Sequence, residues 1–344
     1  MEASGSGGRM NMRYLGIVAT IAVCLAVSAT AQAVTVDLVT VGNPGNAPDT
    51  RTGSGSLGYG SVGYNYSIGK YEVTAGQYTA FLNAVAATDT YGLYNPLMTN
   101  YDYGSFQLGC QIQRNGSPAS YTYSVGDSWA NRPVNFVSWG DAARFTNWLT
   151  NGQPTGAQGL STTEDGSYYL NGAVTDAALQ AVTREADALY VIPTENEWYK
   201  AAYYNPATST YNLYATSNNT TAPGRSLADA DGHNANYNSA GHPIDGTNFF
   251  TVVGEFQNSD SPYGTFDQSG NEREWIENMF IRGGSFDNTS GSLRSTYHGA
   301  VNLPTYEIDN LGFRVALVPE PVTMAGLVLG IGGLATYVRK RRTT

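Results

Sequence analysis

Cysteine and histidine are scarce in this chain, which limits the metal and redox chemistry that it could perform. The cysteines are Cys24 and Cys110, and the histidines are His233, His242 and His298. A soft Cu(I) centre needs thiolate or thioether ligands. Cys24 lies in an apolar run near the N-terminus, so Cys110 is the one thiol of the folded domain and cannot supply two thiolates. We expect Cys110 to be a small buried residue. We expect the histidines to be solvated loop residues, because their spacing matches no metal-binding motif.

The N-terminus has the order of parts that is typical of a secretion signal. Arg13 supplies a positive charge, residues 14–27 are an apolar run, and Ala31 and Ala33 are small residues at the positions that signal peptidase reads. We therefore predict that signal peptidase removes residues 1–33, and the first of the two cysteines with them. An N-terminal membrane anchor is the alternative, but the run is shorter than the ~20 residues that a spanning helix needs.

The C-terminus carries a second processing or anchoring signal. Residues 318–321 read Val-Pro-Glu-Pro, residues 322–338 carry no charge, and residues 339–342 are all basic. As a helix, the uncharged segment would span about 25 Å, close to the ~30 Å of a hydrocarbon core. This order resembles the PEP-CTERM sorting tail, which an exosortase-type protease recognises in the membrane of Gram-negative bacteria that make exopolysaccharide.

This second resemblance implies where the protein is found. Residues 318–344 would be a sorting tail with a transmembrane segment, and the exported protein would lie in the cell envelope, either membrane-anchored or released after tail processing. An ordinary single-pass anchor is the alternative, with the basic cluster on the cytoplasmic side.

Removing both ends leaves a strongly acidic domain. The two ends hold six of the 18 Lys and Arg residues and two of the 28 Asp and Glu residues, which leaves 12 against 26 and a net charge of −14. Such a charge disfavours nucleic acid, which binds basic surfaces, and favours cations such as calcium. The abundance of Gly, Tyr, Ser, Thr and Asn indicates a loop-rich extracellular fold.

Capping motifs predict three helices. In each motif, a Thr or Ser is followed three positions later by a side chain that can bond back to its backbone: Thr74 with Gln77, Ser138 with Asp141, and Thr194 with Glu197. Apolar residues follow at helical spacing, so we expect these helix faces to be buried. Strands are predicted at residues 34–41, 249–256, 280–286 and 311–318. Residues 34–65 would be a glycine-rich segment leading into an α+β domain.

Six distinctive blocks follow one another along this domain, among them Arg-Gly-Gly-Ser-Phe. They are residues 71–85, 132–149, 190–202, 263–275, 282–286 and 310–316. In content and order they resemble the blocks of the formylglycine-generating enzyme, or sulfatase-modifying-factor, family. The resemblance implies that residues 66–317 form an irregular, loop-rich α+β fold similar to an elaborated C-type lectin. In catalytic members of the family, two cysteines bind copper and oxidise a substrate cysteine to formylglycine.

The catalytic cysteines of the family have no counterpart in this chain. By position they would fall near Asn288 and Leu293, so we expect no copper centre and no formylglycine-generating oxidase activity. An enzyme of the same family with altered chemistry is the alternative. It would need a pocket formed near Trp275, Ser285, Asn288 and Arg294.

The resemblance also implies two structural calcium sites built from oxygen ligands, which suit this hard cation. The first would use the side chains of Asn236 and Asp245 with the carbonyl groups of Tyr237 and Thr247. The second would use the side chains of Asn271 and Glu274 with the carbonyl groups of Ser269 and Glu272. The alternatives are that Asn271 and Glu274 only hydrogen-bond turns, and that Glu274 pairs with Arg282 or Arg314.

Together these features predict an exported cell-envelope or exopolysaccharide-associated protein with a non-catalytic binding or matrix role. Polysaccharide is an expected ligand, because aromatic faces stack on sugar rings and amides bond hydroxyl groups. The other predicted partners are signal peptidase, the exosortase-type protease and, through the C-terminal segment, the membrane. Calcium is the one predicted cofactor.

Overall fold

A computed structural model describes residues 33–51, 58–104, 106–239, 248–299 and 303–319, together with Met1 and Ile244. The predicted secretion signal and nearly all of the predicted sorting tail lie outside the described residues. In the part of the chain that is described, no helix has both the length and the apolar character needed to cross a membrane.

The strands are short and mostly antiparallel. They are β1 Leu38–Val41, β2 Tyr66–Gly69, β3 Asp102–Tyr103, β4 Phe106–Gln107, β5 Gln113–Asn115, β6 Thr122–Ser124, β7 Tyr190–Val191, β8 Tyr204–Asn205, β9 Thr210–Tyr211, β10 Arg273–Trp275, β11 Ile281–Arg282, β12 Leu311–Phe313 and β13 Ala316–Leu317. One sheet has the order β1-β2-β13-β7 and another the order β11-β10-β12, while the remaining strands form two-stranded hairpins. Strand β10 pairs with β12 in parallel, so the chain between them must return to the same end of the sheet.

Helices pack among these sheets, and the three predicted capping motifs are confirmed. The helices are α1 Ala75–Val85, α2 Asp127–Ala130, α3 Trp139–Thr150, α4 Asp176–Gln180 and α5 Glu195–Tyr203. At α1, the Thr74 hydroxyl accepts from Gln77 N at 3.2 Å and the Gln77 amide oxygen accepts from Thr74 N at 2.9 Å. The same reciprocal bonding opens α3 and α5. Each box satisfies two backbone donors that the first turn leaves unpaired.

The predicted apolar helix faces form the main core. Phe81 on α1 contacts Phe145 and Trp148 on α3, with ring centroids 5.3 and 5.2 Å apart, and Phe145 contacts Phe313 on β12 at 5.4 Å. All four side chains are buried. Burying each such ring contributes roughly 1.5–3 kcal/mol. The core therefore fixes β12, and through its pairing β10, against the two longest helices.

The strand prediction at residues 249–256 is wrong. This segment consists of turns and bends, because its backbone groups find partners in other loops. Val253 N donates to Asn131 O at 2.9 Å, and Gly254 N donates to the Asp267 carboxylate at 2.6 Å. Two of its three phenylalanines, Phe249 and Phe250, are buried against Phe286 rather than in a sheet.

The strand predicted at residues 280–286 is shorter than expected, since only Ile281–Arg282 pairs as β11. Gly283 and Gly284 follow with φ angles of +93° and +71°. Such left-handed backbone cannot continue a strand, and it turns the chain away from the sheet. The next residue, Ser285, is thereby placed at the start of the loop that contains the family's cysteine positions.

Candidate functional site

A buried ion pair lies at the centre of the region that the sequence singled out. The Arg314 guanidinium donates to both carboxylate oxygens of Glu274, at 2.6 and 2.7 Å, and neither side chain is exposed to solvent. The Trp198 indole N–H donates to the same carboxylate at 2.7 Å. The predicted pairing of Glu274 with Arg314 is thus confirmed, whereas Arg282 pairs with Glu195, at 2.8 Å from Nε to Oε1.

This ion pair decides what Glu274 can do. Both of its oxygens accept from Arg314, and one of them also accepts from Trp198. A calcium ion at this carboxylate would have to displace a buried arginine, which costs several kcal/mol because the guanidinium would be left unpaired. Glu274 therefore does not fit a calcium ligand in this arrangement.

Asn271 is also occupied by protein partners. Its side-chain oxygen accepts from both the backbone N–H and the hydroxyl of Thr251 at 3.1 Å, and from the Asn236 amide at 3.2 Å. Its own amide donates to Glu72 at 3.1 Å. Asn271 has a φ of +59°, so these bonds stabilise a left-handed residue that connects two loops.

Several buried oxygens on residues that bond Asn271 or follow it in the chain have no hydrogen-bond partner among the described residues. They are one carboxylate oxygen of Glu72, both carboxylate oxygens of Glu272 and the side-chain oxygen of Asn236. Oxygens of this kind suit a hard cation. However, among the described residues no three His, Cys, Asp or Glu side chains are grouped so that they could hold a metal. Calcium stays a prediction, and Asp245 and Thr247 lie outside the described residues.

Glu272 has an unusual electrostatic environment. It is wholly buried, and burial raises the pKa of its carboxyl group well above the ordinary value, with the negative charges of Glu72 and Glu274 adding to the effect. A carboxyl group in this setting favours its protonated form more than one in water does. The sequence prediction used Glu272 only through its carbonyl group, so this carboxyl group was missed.

The side chains of Ser269 and Tyr237, whose carbonyl groups are predicted calcium ligands, bond other parts of the fold. Ser269 accepts from Ala215 N at 3.0 Å and donates to Leu293 O at 3.2 Å. The Tyr237 hydroxyl donates to Pro223 O at 2.6 Å. These contacts hold together the loops on which the two predicted ligand sets lie.

The two positions of the family's cysteines carry structural side chains here. The Asn288 oxygen accepts from the backbone N–H and the hydroxyl of Ser285, both at 3.1 Å, and from Arg273 Nε at 3.1 Å. Leu293 is fully buried beside Tyr214 and Tyr237. One position thus closes a turn and the other fills a small apolar core, and neither can transfer electrons or bind copper.

The predicted pocket residues do not meet around one cavity. Ser285 and Asn288 are in contact, but Ser285 is completely buried. Trp275 is also buried and donates to Val137 O at 2.9 Å. Arg294 is exposed and donates from Nε to the Tyr214 hydroxyl at 3.0 Å. The structure therefore joins one pair of the four and places the other two against different parts of the chain.

Cys110 is buried, as expected. Its backbone N–H donates to the Asn135 side chain at 3.0 Å. Burial raises the pKa of its thiol to about 12. Because the thiolate is the reactive form of cysteine, this residue has no nucleophilic or metal-binding chemistry at neutral pH.

A surface cavity of about 310 Å³ contains none of the predicted site residues. It lies beside strand β5 and is lined largely by polar side chains, including Arg114. Sequence reasoning missed this cavity because its lining residues come from two segments of the chain that lie side by side only in the folded protein. The available sequence signal was Arg114 itself, a positive residue between the amides Gln113 and Asn115 in a strongly acidic chain.

Comparison with known proteins identifies the family. Residues 61–318, three quarters of the chain, match the sulfatase-modifying factor enzyme 1-like domain. The chain therefore belongs to this family. No curated protein sequence matches it significantly.

One solved structure supports the fold, and two others are similar at lower TM-scores. Treponema denticola variable protein 1 is 20% identical, and the match covers 84% of this chain and 98% of that one, with a TM-score of 0.53. CarF is 20% identical over 83% and 99% of the two chains, with a TM-score of 0.49. PvdO from Pseudomonas aeruginosa is 19% identical over 83% and 92%, with a TM-score of 0.45. The predicted α+β fold of the C-type-lectin-like kind is confirmed.

Proposed function

We propose that this protein is an exported, non-catalytic binding protein of the cell envelope, built on a sulfatase-modifying-factor domain. The observation that carries the proposal is the pair of residues at the family's cysteine positions. Asn288 is engaged by Ser285 and Arg273, and Leu293 is packed in an apolar core. A domain that keeps the fold but uses both positions for structure has lost the centre that oxidises cysteine.

Two further features support a role without catalysis. The one thiol of residues 34–317, that of Cys110, is buried and protonated. The polar groups that converge near Ser285 are bonded to one another rather than directed into an open cavity. An enzyme needs a nucleophile, base or metal that can reach its substrate, and this part of the domain offers none among the described residues.

Polysaccharide is the ligand class that we propose. Several tyrosines lie on the surface with more than a third of their area exposed, among them Tyr101, Tyr169 and Tyr306. Tyrosine gives a rigid apolar face with a polar end at little cost in conformational entropy. Export through residues 1–33 and retention through an exosortase-recognised tail would place this surface where envelope polysaccharides are made.

Calcium is proposed as a structural ion of the domain rather than as a catalyst. The unpartnered side-chain oxygen of Asn236 supports it in kind. Asn236 would hold the ion at the predicted first site together with Asp245. There the ion would neutralise part of the domain's negative charge.

The proposal is tested by two assays on the purified protein. Incubation with a sulfatase-motif peptide, copper and oxygen should give no formylglycine by mass spectrometry, whereas an active family enzyme run in parallel should convert the peptide. A panel of acidic and neutral oligosaccharides should give at least one ligand. Formation of formylglycine would instead support the alternative, an enzyme with altered chemistry, and a panel without any ligand would contradict polysaccharide binding.

A further inference from the structure

The polar cavity beside strand β5 has the features of a ligand site. It has a volume of about 310 Å³, at the lower end of the roughly 300–1,000 Å³ that is typical of ligand pockets. The residues that line it are Tyr94, Pro96, Thr99, Asn100, Gln113, Arg114 and Asn115. Three are amides with exposed side chains. Amides both donate and accept hydrogen bonds, so they suit a ligand rich in hydroxyl groups.

Arg114 gives this cavity a positive charge in an otherwise acidic protein. Its guanidinium carbon lies over the rings of Tyr94 and Tyr121, at 4.6 and 4.4 Å from their centroids. About a quarter of the side chain, 27%, is exposed. Aromatic contacts on the guanidinium restrict its motion and leave its edges, which carry the N–H groups, open to hydrogen bonding.

The negative charge nearest to Arg114 is shared with other donors. Within the described part of the chain, the one ion pair of Arg114 is a long contact of 3.3 Å from NH1 to the Asp89 carboxylate. That carboxylate also accepts from the backbone N–H groups of Leu93, at 2.7 Å, and Tyr94, at 3.3 Å. Asp89 therefore compensates Arg114 only in part. The Tyr123 hydroxyl also interacts with the guanidinium, whose solvent-exposed N–H donors can serve a ligand.

The hairpin that carries Arg114 is held in place before any ligand binds. Arg114 on β5 lies opposite Tyr123 on β6. Asn83 on α1 bonds both backbone groups of Tyr123, at 2.8 and 2.9 Å, and Tyr121 N donates to Ala87 O at 3.0 Å. Because these contacts already fix the hairpin, binding would not need to order it, which favours affinity.

We propose that this cavity binds the carboxylate of a uronic acid residue in an acidic polysaccharide. The guanidinium fork matches a carboxylate in two parallel hydrogen bonds. The exposed amides of Asn100, Gln113 and Asn115 can bond hydroxyl groups of that sugar or of the next sugars in the chain, since neighbouring residues of β5 point to opposite faces. The inference rests on the proposed polysaccharide binding and names its ligand class.

The test is calorimetric titration of the purified protein with galacturonic acid tetramer, and with the neutral galactose tetramer of the same length. We expect the acidic oligomer to bind at least ten times more tightly than the neutral one. Arg114→Gln should weaken the acidic oligomer at least tenfold, and Arg114→Lys should weaken it less, because the charge remains while the fork is lost. Asn115→Ala should weaken binding without changing the melting temperature, since this exposed amide supports no other part of the fold.

Lys70→Gln is the matched control, because Lys70 also places a cation over two aromatic rings, those of Tyr71 and Phe266, at 5.3 Å from each centroid. The affinity of the Lys70→Gln variant for the acidic oligomer should equal that of the unmodified protein. Equal binding of both oligomers, or no effect of Arg114→Gln and Asn115→Ala, would overturn the inference and leave polysaccharide binding standing. Binding of neither oligomer would overturn the inference. Whether polysaccharide binding as such also fails would then be decided by the wider oligosaccharide panel.

Discussion

Arg314 and Glu274 form a two-point ion pair in which both side chains are inaccessible to solvent. Glu274 lies on β10, and Arg314 directly follows β12, the strand that pairs with β10. The guanidinium also donates to Gly69 O on β2 and to Phe266 O, both at 2.9 Å. One arginine thereby joins the two main sheets and a loop, which makes it a structural centre of the domain.

Arg314→Met should destabilise the protein by about 3–5 kcal/mol, because it leaves the Glu274 charge buried without its partner. Urea unfolding monitored by tryptophan fluorescence measures this change. The double variant Arg314→Met with Glu274→Met should recover part of the loss, since no uncompensated charge remains. A loss below about 1 kcal/mol for the single variant would show that the pair is not buried as described.

Glu272→Met should stabilise the protein at neutral pH. The pKa of Glu272 is raised by burial and by neighbouring carboxylates. A raised carboxyl pKa contributes stability that is present below the ordinary value near 4.5 and is lost as the pH rises towards the folded-state pKa. The variant lacks this loss, so its advantage should grow from pH 4.5 to pH 7.5 and reach roughly 1–3 kcal/mol.

Thermal melting of chelator-treated protein at the two pH values measures this advantage. Glu272→Gln is the control, because it removes the titration but keeps a buried polar group, and it should fall between the other two proteins. An advantage that is the same at both pH values would contradict the assignment of a protonated Glu272.

Cys110 should not react with thiol reagents while the protein is folded. Its pKa of about 12 and its burial keep it as an inaccessible thiol. Labelling with iodoacetamide at pH 7.5, followed by mass spectrometry, should give less than a few per cent modification in buffer and complete modification in denaturing urea. Rapid labelling in buffer would contradict the burial of Cys110.

Calcium should raise the melting temperature of chelator-treated protein if the predicted sites bind it. At a concentration one hundred times the dissociation constant, the gain is about 2.7 kcal/mol. Asp245→Asn should reduce the gain by removing a carboxylate of the first predicted site. Asp187→Asn, a charge-matched change at an acidic position outside both predicted ligand sets, should leave it intact. An equal melting temperature with and without calcium would contradict the proposed calcium sites.

The local features of the fold could be predicted from the sequence. Capping boxes at Thr74, Ser138 and Thr194 depend on residues three positions apart, and the apolar faces behind them have a short period. Both signals are complete within about one helical turn. This is why the positions of α1, α3 and α5 were predicted correctly.

The features that were missed depend on residues far apart along the chain. The segment around Val253 has a strand-like composition, but its N–H groups reach Asn131 and Asp267 in other loops. Nothing in the sequence singles out Arg114, because the rings of Tyr94 and Tyr121 come to lie beside its guanidinium only in the folded chain. No pattern of local spacing encodes such contacts, and they require the tertiary fold.

Asn83 on helix α1 links the hairpin of β5 and β6, which carries Arg114, to the main core. Its side chain donates a hydrogen bond to the Tyr123 carbonyl group and accepts one from the Tyr123 N–H. Without Asn83, these two backbone groups would bond water. The amides of β5 and β6 should therefore exchange with deuterium at a rate set by the opening of helix α1, and not at the rate of an independent two-stranded hairpin. A ligand site on these strands should therefore stay formed for as long as the core stays folded.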